Sequence, residues 1–479
     1  MASEKAKIFD TGVSTEPTRR ETAMYGFGEM TDQMSHQAFQ FLVFTFYYAV
    51  VRININLIAL GFIVFAIWDS INDPLLGPIS DRTTTRIGRR RFWIVVSIVP
   101  FGIVNLLLFM APIAADPMVK FSYMLVVIMV YDLFYTIFST NHLALFPEMF
   151  KTEQKRSKAN AIKNTMTIVG VLIGFVLPTV IISSLTPEVD TPEEYSKVAG
   201  MYVNTGILLC VLVIAFGFLF AGLGIKEDPA RLTKPQEMPP LLSSIKQTLK
   251  NKTFVIFVLA NLAKWYVFKL MTTIVPLYGI QVLGITEGSF LLSLLLLVAF
   301  LSAAALFPLC RKLGLKVGMR NGMMITTLVW IFALIPFLFL DNQPYVAMIC
   351  MAISGIGLSG ALYYVDILIA SIVDEDEVLH GKRREGSIYG VNALINRYST
   401  ILVFVVIAMT LTGYGWENFL AEPTAELAAG LQIGLKLLMV PFSIIGLVVV
   451  LVLLKLFPLH GKRWKEVQEK LKEIRERKE

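Results

Sequence analysis

The feature that most constrains this chain is the recurrence of apolar runs just long enough to cross a lipid bilayer. A hydrocarbon core of about 30 Å takes roughly 20 helical residues to span. Runs of that size fall at about 25–50, 54–79, 92–113, 120–147, 159–184, 200–225, 252–280, 286–310, 321–340, 345–372, 387–413 and 430–457. No water reaches the backbone inside hydrocarbon, so each run must satisfy its own N–H and C=O groups as a helix. The expected fold class is an all-α membrane protein of twelve transmembrane helices. Only 16% of the residues are charged, against about 25% in soluble domains, too few to cover a water-facing surface of this size.

The connections carry the topology. Lys and Arg crowd one set of loops: Arg82, Arg86 and Arg89–Arg91, then Lys151, Lys155, Arg156 and Lys158, then Arg311, Lys312, Lys316 and Arg320, then Lys382–Arg384. The opposite loops hold little beyond Arg52, Lys120 and Lys197, beside acids such as Glu188, Asp190, Glu193 and Glu194. Basic loops stay in the cytoplasm. A multi-pass protein of the plasma membrane with both termini cytoplasmic is expected. The net charge of +7 belongs to these loops, so lipid rather than nucleic acid is the expected neighbour. Cys210, Cys310 and Cys350 lie inside apolar runs as small hydrophobes, with no disulfide or metal-ligand spacing.

Residues 1–24 form a polar cytoplasmic segment without a cleavable signal. Residues 226–251, with Pro229, Pro235, Pro239 and Pro240, read as a cytoplasmic linker. It divides a six-helix half at 25–225 from a second at 252–457, followed by a cytoplasmic tail at 458–479 that reads as a solvated helix. A short basic turn at Asp81–Arg91 has its counterpart at Arg311–Arg320, a weak internal repeat. Two such halves with a site between them near the midplane are the plan of many secondary transporters. A monomer is expected.

The strongest local signal is Trp68-Asp69-Ser70-Ile71-Asn72-Asp73-Pro74 in the second run. Asp69 and Asp73 are one helical turn apart and share a face. Two carboxylates this close in low dielectric cannot both stay ionised cheaply, so a proton or a cation belongs with them. A hard cation such as Na⁺ takes oxygen ligands, and Asn72 offers a carbonyl. The plainer alternative is that Asp73 caps the helical segment starting at Pro74 while Asp69 sits near an interface. Further polar groups within runs are Asp32 and His36 (again i, i+4), Asp132, His142, Lys163, Lys264, Lys269, Asp366 and Arg397. Each costs about 2.5–3.5 kcal/mol at a helix centre, so they need partners or a function. Asp366 is a candidate partner for Arg397, Lys264 or Lys269; Asp132 reads as structural; His142 reads equally as a satisfied core histidine. Phosphate-loop, zinc and nucleophile-elbow signatures are missing. The chain is expected to be no enzyme, to need no cofactor and to draw energy from an ion gradient.

At Trp68–Trp93 the chain resembles the glycoside–pentoside–hexuronide:cation symporters, the melibiose-permease-like members of the major facilitator superfamily. The resemblance rests on Trp68–Gly77, Asp81-Arg82-Thr83 and Arg86–Arg91, supported by Tyr25–Gly28 and Gly381–Gly386. It implies the major facilitator fold and a cation site at Asp69, Asn72, Asp73 and Thr136. It also matches Lys163 and Arg397 to basic positions of the family. The family's sugar-gripping acids fall on Gln33, beside Asp32, and on Ser139, and its sugar-stacking Trp falls on Leu143, which puts galactosides in doubt.

The expected function is Na⁺- or H⁺-coupled symport of a sugar, glycoside or related polar small molecule by alternating access. The expected substrate residues are Asp32, Gln33, His36, Ser139, His142, Lys163, Lys269, Asp366 and Arg397. Asp81, Arg82, Arg89, Arg311 and Arg383 are expected to hold the cytoplasmic side closed against acids such as Glu148, Glu385 and Asp374–Glu377. The alternatives are an anionic or amphiphilic substrate, such as an organic acid or lysophospholipid, and a non-transporting receptor on the same fold.

Overall fold

The computed structural model describes residues 18–83, 85–150, 153–225, 246–285, 290–380 and 384–476. The helices are α1 (Arg19–Thr45, continued by a wider turn at Phe46–Val50), α2 (Ile55–Arg82), α3 (Arg89–Leu107), α4 (Pro117–Met149), α5 (Glu153–Ile181) and α6 (Pro192–Leu219). After the linker come α7 (Lys252–Gln281), α8 (Phe290–Val317), α9 (Met319–Leu334) and α10 (Pro344–His380). The last span pair is α11, in two pieces at Glu385–Arg397 and Ser399–Gly413, and α12, which runs from Ala425–Leu437 through Leu438–Phe442 into Ser443–Leu456. A tail helix, α13, covers Gly461–Glu476.

Among the described residues, eleven helical segments are long and apolar enough to cross a membrane. The twelfth span is α1, whose hydropathy is lowered by Glu29, Asp32, Gln33, His36, Gln37 and Gln40 on its 27 residues. Local chemistry sets the helix starts. Thr18 and Glu21 form a capping box before α1, and Asn54, Thr191 and Asn251 accept backbone N–H groups at the starts of α2, α6 and α7. The two basic turns of the repeat end alike. Gly88 and Gly318, each with positive φ, stand just before α3 and α9, a conformation that favours glycine.

The two halves share one plan. In each, a peripheral pair (α3 and α6, or α9 and α12) backs the inner helices. Across the middle α2 packs on α11, α8 on α5, and α1 on α7. Renumbering by six turns the first pairing into the second, as a pseudo-twofold relation requires. The seam of α1 on α5 is close. A Cβ added at Gly170 or Gly174 would lie 2.7 or 2.8 Å from the carbonyl oxygens of Met30 and Met34, so the backbones touch through small residues.

One expectation needs correction. The tail is not a helix solvated all round: Val467 and Leu471 are buried, Trp464 packs with them, and Arg463 bonds the buried Glu375 at 2.6 Å. The cause is the length of α10, whose 37 residues exceed the roughly 20 needed to cross. The excess carries an acidic platform beyond the bilayer, where α13 docks. The linker residues 226–245 lie outside the described residues.

The halves are clasped at the end remote from the termini. There Tyr48 donates to the Trp416 carbonyl at 2.8 Å, and the Ile55 N–H to the Glu417 carbonyl at 2.8 Å. Asp190 accepts from Tyr195 at 2.7 Å and from the Glu422 backbone N–H at 3.2 Å, with Arg52 at 3.5 Å. Burial works against the charge on Asp190, but these donors and Arg52 outweigh it and hold its pKa below the ordinary carboxylate value. A lowered folded pKa means that the clasp is intact above about pH 4 and is lost as pH falls through the depressed value. We predict that Asp190→Ala loosens this end. A membrane-impermeant thiol reagent applied from that side should label a cysteine placed at Thr400 several-fold faster than in the otherwise unchanged protein.

Candidate functional site

Between the halves lies a cavity of about 730 Å³, a size typical of small-molecule sites. It is lined from α1, α2 and α4 on one side and from α7, α10 and α11 on the other. Its ceiling toward the clasped end is aromatic. Phe62 of α2 stacks on Phe404 of α11 with centroids 3.7 Å apart, and Phe44 packs edge-on against Phe404. Exposed Leu143 and Asp366 mark its opposite side, toward the chain termini.

Helical periodicity brings the second-run motif to this cavity. Asp69 lines it and forms an ion pair with Arg397 of α11. One turn on, buried Asn72 donates to Asp132 of α4 at 3.1 Å. Because α2 and α4 run parallel, buried Thr136 sits one turn past Asp132, toward the same end as Asp73. Asp73 lies on α2 with its side chain outside the described residues. Asp132, read as structural, therefore belongs to the same oxygen-rich corner. Among the described residues no three His, Cys, Asp or Glu side chains gather as a transition-metal site. Carboxylate, amide and hydroxyl oxygens are instead the donors a hard monovalent cation takes.

The expected substrate residues divide into two groups. His36, Lys269, Asp366 and Arg397 line the cavity. His36 stacks on Tyr135 and bonds Gln40 at 3.0 Å; Lys269 donates to Thr400 at 2.7 Å. Lys264 rests 3.9 Å over the Trp265 ring and faces Asp366. Asp366 is thus not the ion-pair partner of Arg397; Asp69 is, because α2 and α11 pack directly on one another.

Asp32, Gln33, Ser139, His142 and Lys163 do not line the cavity. They surround Glu29, a buried acid that the sequence reading passed over. Glu29 meets Lys163 at 3.4 Å and His142 at 3.9 Å, and accepts from Thr167 at 3.1 Å. Gln33 bridges Glu29 and Asp32 at 3.4 and 3.2 Å, while Ser139 and Tyr135 lie against Asp32. His142 stacks on Tyr25, which donates to the His142 carbonyl at 2.9 Å. The signal that points to Glu29 is its spacing, i−3 and i−4 from Asp32 and Gln33.

At the terminal end the described ion pairs join elements of one half. Arg89 meets Glu148 at 2.7 Å, and Arg384 grips Asp376 with bonds of 2.5 and 2.8 Å. Short connections put these neighbouring helix ends within reach. They brace each half rather than closing one half on the other. Arg311 is exposed with no ion pair among the described residues. Arg383 and the side chains of Asp81, Arg82 and Glu385 lie outside the described residues.

Removing Glu29 leaves the half-buried Lys163 ammonium without its partner, at a cost below the roughly 3 kcal/mol of a fully buried pair. Glu29→Gln should therefore lower the melting temperature of the purified protein clearly. The double variant Glu29→Gln/Lys163→Gln should recover part of the loss, because the two sites are coupled.

The comparisons agree with this architecture. The profile described as "MFS/sugar transport protein" matches residues 24–461. An uncharacterized symporter of Synechocystis is 23% identical, covering 82% of this chain and 85% of that protein. The sodium-dependent lysophosphatidylcholine symporter 1 of Gallus gallus is 20% identical over 85% of this chain and 80% of its own length. The raffinose carrier protein of Pediococcus pentosaceus is 23% identical over 82% of this chain and 61% of the carrier. In three dimensions the nucleoside transporter NupG superposes with a TM-score of 0.67 at 12% identity, over 91% of this chain and 99% of its own. The chain belongs to the MFS/sugar transport protein family, and it is a secondary transporter rather than an enzyme.

Proposed function

We propose that the chain is a Na⁺- or H⁺-coupled symporter of a sugar, glycoside or related polar solute. The cation would bind at Asp69, Asn72, Asp73 and Thr136, joined by Asp132. The observation that carries this reading is the Asp69–Arg397 pair. Asp69 belongs to one half and Arg397 to the other, so the guanidinium stands where a small cation would neutralise the carboxylate. A cation arriving at Asp69 competes with Arg397 and releases a contact between the halves. Occupancy is thereby tied to their relative movement, which alternating access needs. The basic loops support a cytoplasmic position for the terminal end. The clasp and the aromatic ceiling then close the outer side, and the cavity faces inward.

The measurement is uptake into proteoliposomes with and without an imposed Na⁺ or proton gradient. Asp69→Asn and Asp73→Cys should abolish concentrative uptake while leaving the protein folded. Arg397→Gln removes the competitor and should tighten cation binding about tenfold, or ~1.4 kcal/mol. Normal accumulation by Asp73→Cys would overturn the site.

A further inference from the structure

We infer that the substrate of the central cavity is an organic monoanion with a flat apolar body, its oxyanion held by Lys269 and its ring laid against the α1–α4 wall. This takes the organic-acid alternative over the sugar as the cargo of the cation-coupled site proposed above, and it rests on that reading of coupled transport. The argument begins with charge. Of the three basic side chains that line the cavity, Arg397 is paired with Asp69, and Lys264 has the Trp265 ring beneath it and Asp366 facing it. Lys269 differs. Its ammonium donates to a neutral hydroxyl, Thr400, and among the described residues no carboxylate lies within ion-pair distance. An ammonium held in low dielectric without a counter-charge is costly. It is understandable at a transport site if the missing negative charge arrives with the ligand.

The facing wall specifies the rest of the molecule. Phe39 stacks on Tyr131 at 4.5 Å and 9° and on Phe65 at 5.9 Å, and Tyr131 stacks on Tyr135 at 5.9 Å and 4°. These rings pack on one another with Tyr131 buried, and Phe39, Phe65 and Tyr135, half-buried, turn an apolar aromatic surface to the cavity. Its polar atoms point elsewhere: the Tyr131 hydroxyl is within 3.0 Å of Ser35, and Tyr135 lies against Asp32. A sugar can lay a C–H face on such rings, but the Tyr131 and Tyr135 hydroxyls are turned away from its own hydroxyls. A planar apolar ring packs against the edges and remaining faces of these side chains, while its carboxylate or sulfate reaches Lys269 opposite. His36, stacked on Tyr135, stands between the two walls within electrostatic reach of Lys269.

Binding to the purified full chain, without any gradient, tests this separately from coupling. The probes are 4-nitrobenzoate, 4-nitrophenyl sulfate, the neutral 4-nitrophenyl β-galactoside and non-aromatic glucuronate, read by equilibrium binding in the presence of Na⁺. Both aromatic anions should bind more tightly than the galactoside and than glucuronate. Lys269→Met should weaken them at least tenfold, Lys269→Arg should hold them within a few-fold, and Phe39→Leu should weaken the aromatic anions but not glucuronate. An unchanged Na⁺-dependent thermal shift in each variant shows that it is folded. The inference falls if the galactoside or glucuronate binds best, if neither aromatic anion binds, or if Lys269→Met binds them as the parent does. A protein that binds the aromatic anions but ignores gradients would overturn the coupling and leave the substrate class standing.

Discussion

The structure turns on one charge pair between the two halves, Asp69 with Arg397. Each residue alone would be expensive in hydrocarbon, and together they neutralise one another across the boundary between the halves. The rest of the central region is arranged around them. Asn72 and Asp132 hold polar oxygens beside Asp69, Phe62 and Phe404 exclude water on the far side, and the cavity opens below. A pair that bridges two moving bodies is a different object from a pair inside one body. It stabilises one arrangement of the halves, and anything that replaces either partner shifts the balance between arrangements.

The pair inside one body is also present, at Glu29 and Lys163. Both of its helices belong to the first half and are sealed by the close α1–α5 seam. It has the surroundings of a structural site: a backbone-anchored Tyr25, a Thr167 hydroxyl and a stacked histidine. The protein thus uses buried charge in two ways, to lock a half together and to tie the halves to one another.

Much of this was legible in the residues. The spans, the two halves and the acidic motif on α2 follow from apolar length, loop charge and helical spacing, which are local properties. What stayed hidden depends on which helices cross. By sequence Asp366 is a candidate partner for Arg397, Lys264 or Lys269, and only the crossing of α2 and α11 gives Arg397 to Asp69. Asp132 looked structural because its partner, Asn72, is 60 residues away. The expected substrate residues split because helical phase turns Gln33 and Lys163 toward the α1–α5 seam and His36 and Lys269 toward the cavity. The docking of α13 escaped notice because its mixed charges mask a short apolar stripe of Trp464, Val467 and Leu471.

The glycines at 170 and 174 carry a consequence for how the transporter can diversify. With its carbonyls pressed against these two positions, α1 has no slack to slide or roll when a side chain on its cavity face grows or shrinks. New cargo preferences are therefore more readily acquired through exchanges on α7 and α11, where amide, hydroxyl and lysine side chains stand on helices free of that backbone lock.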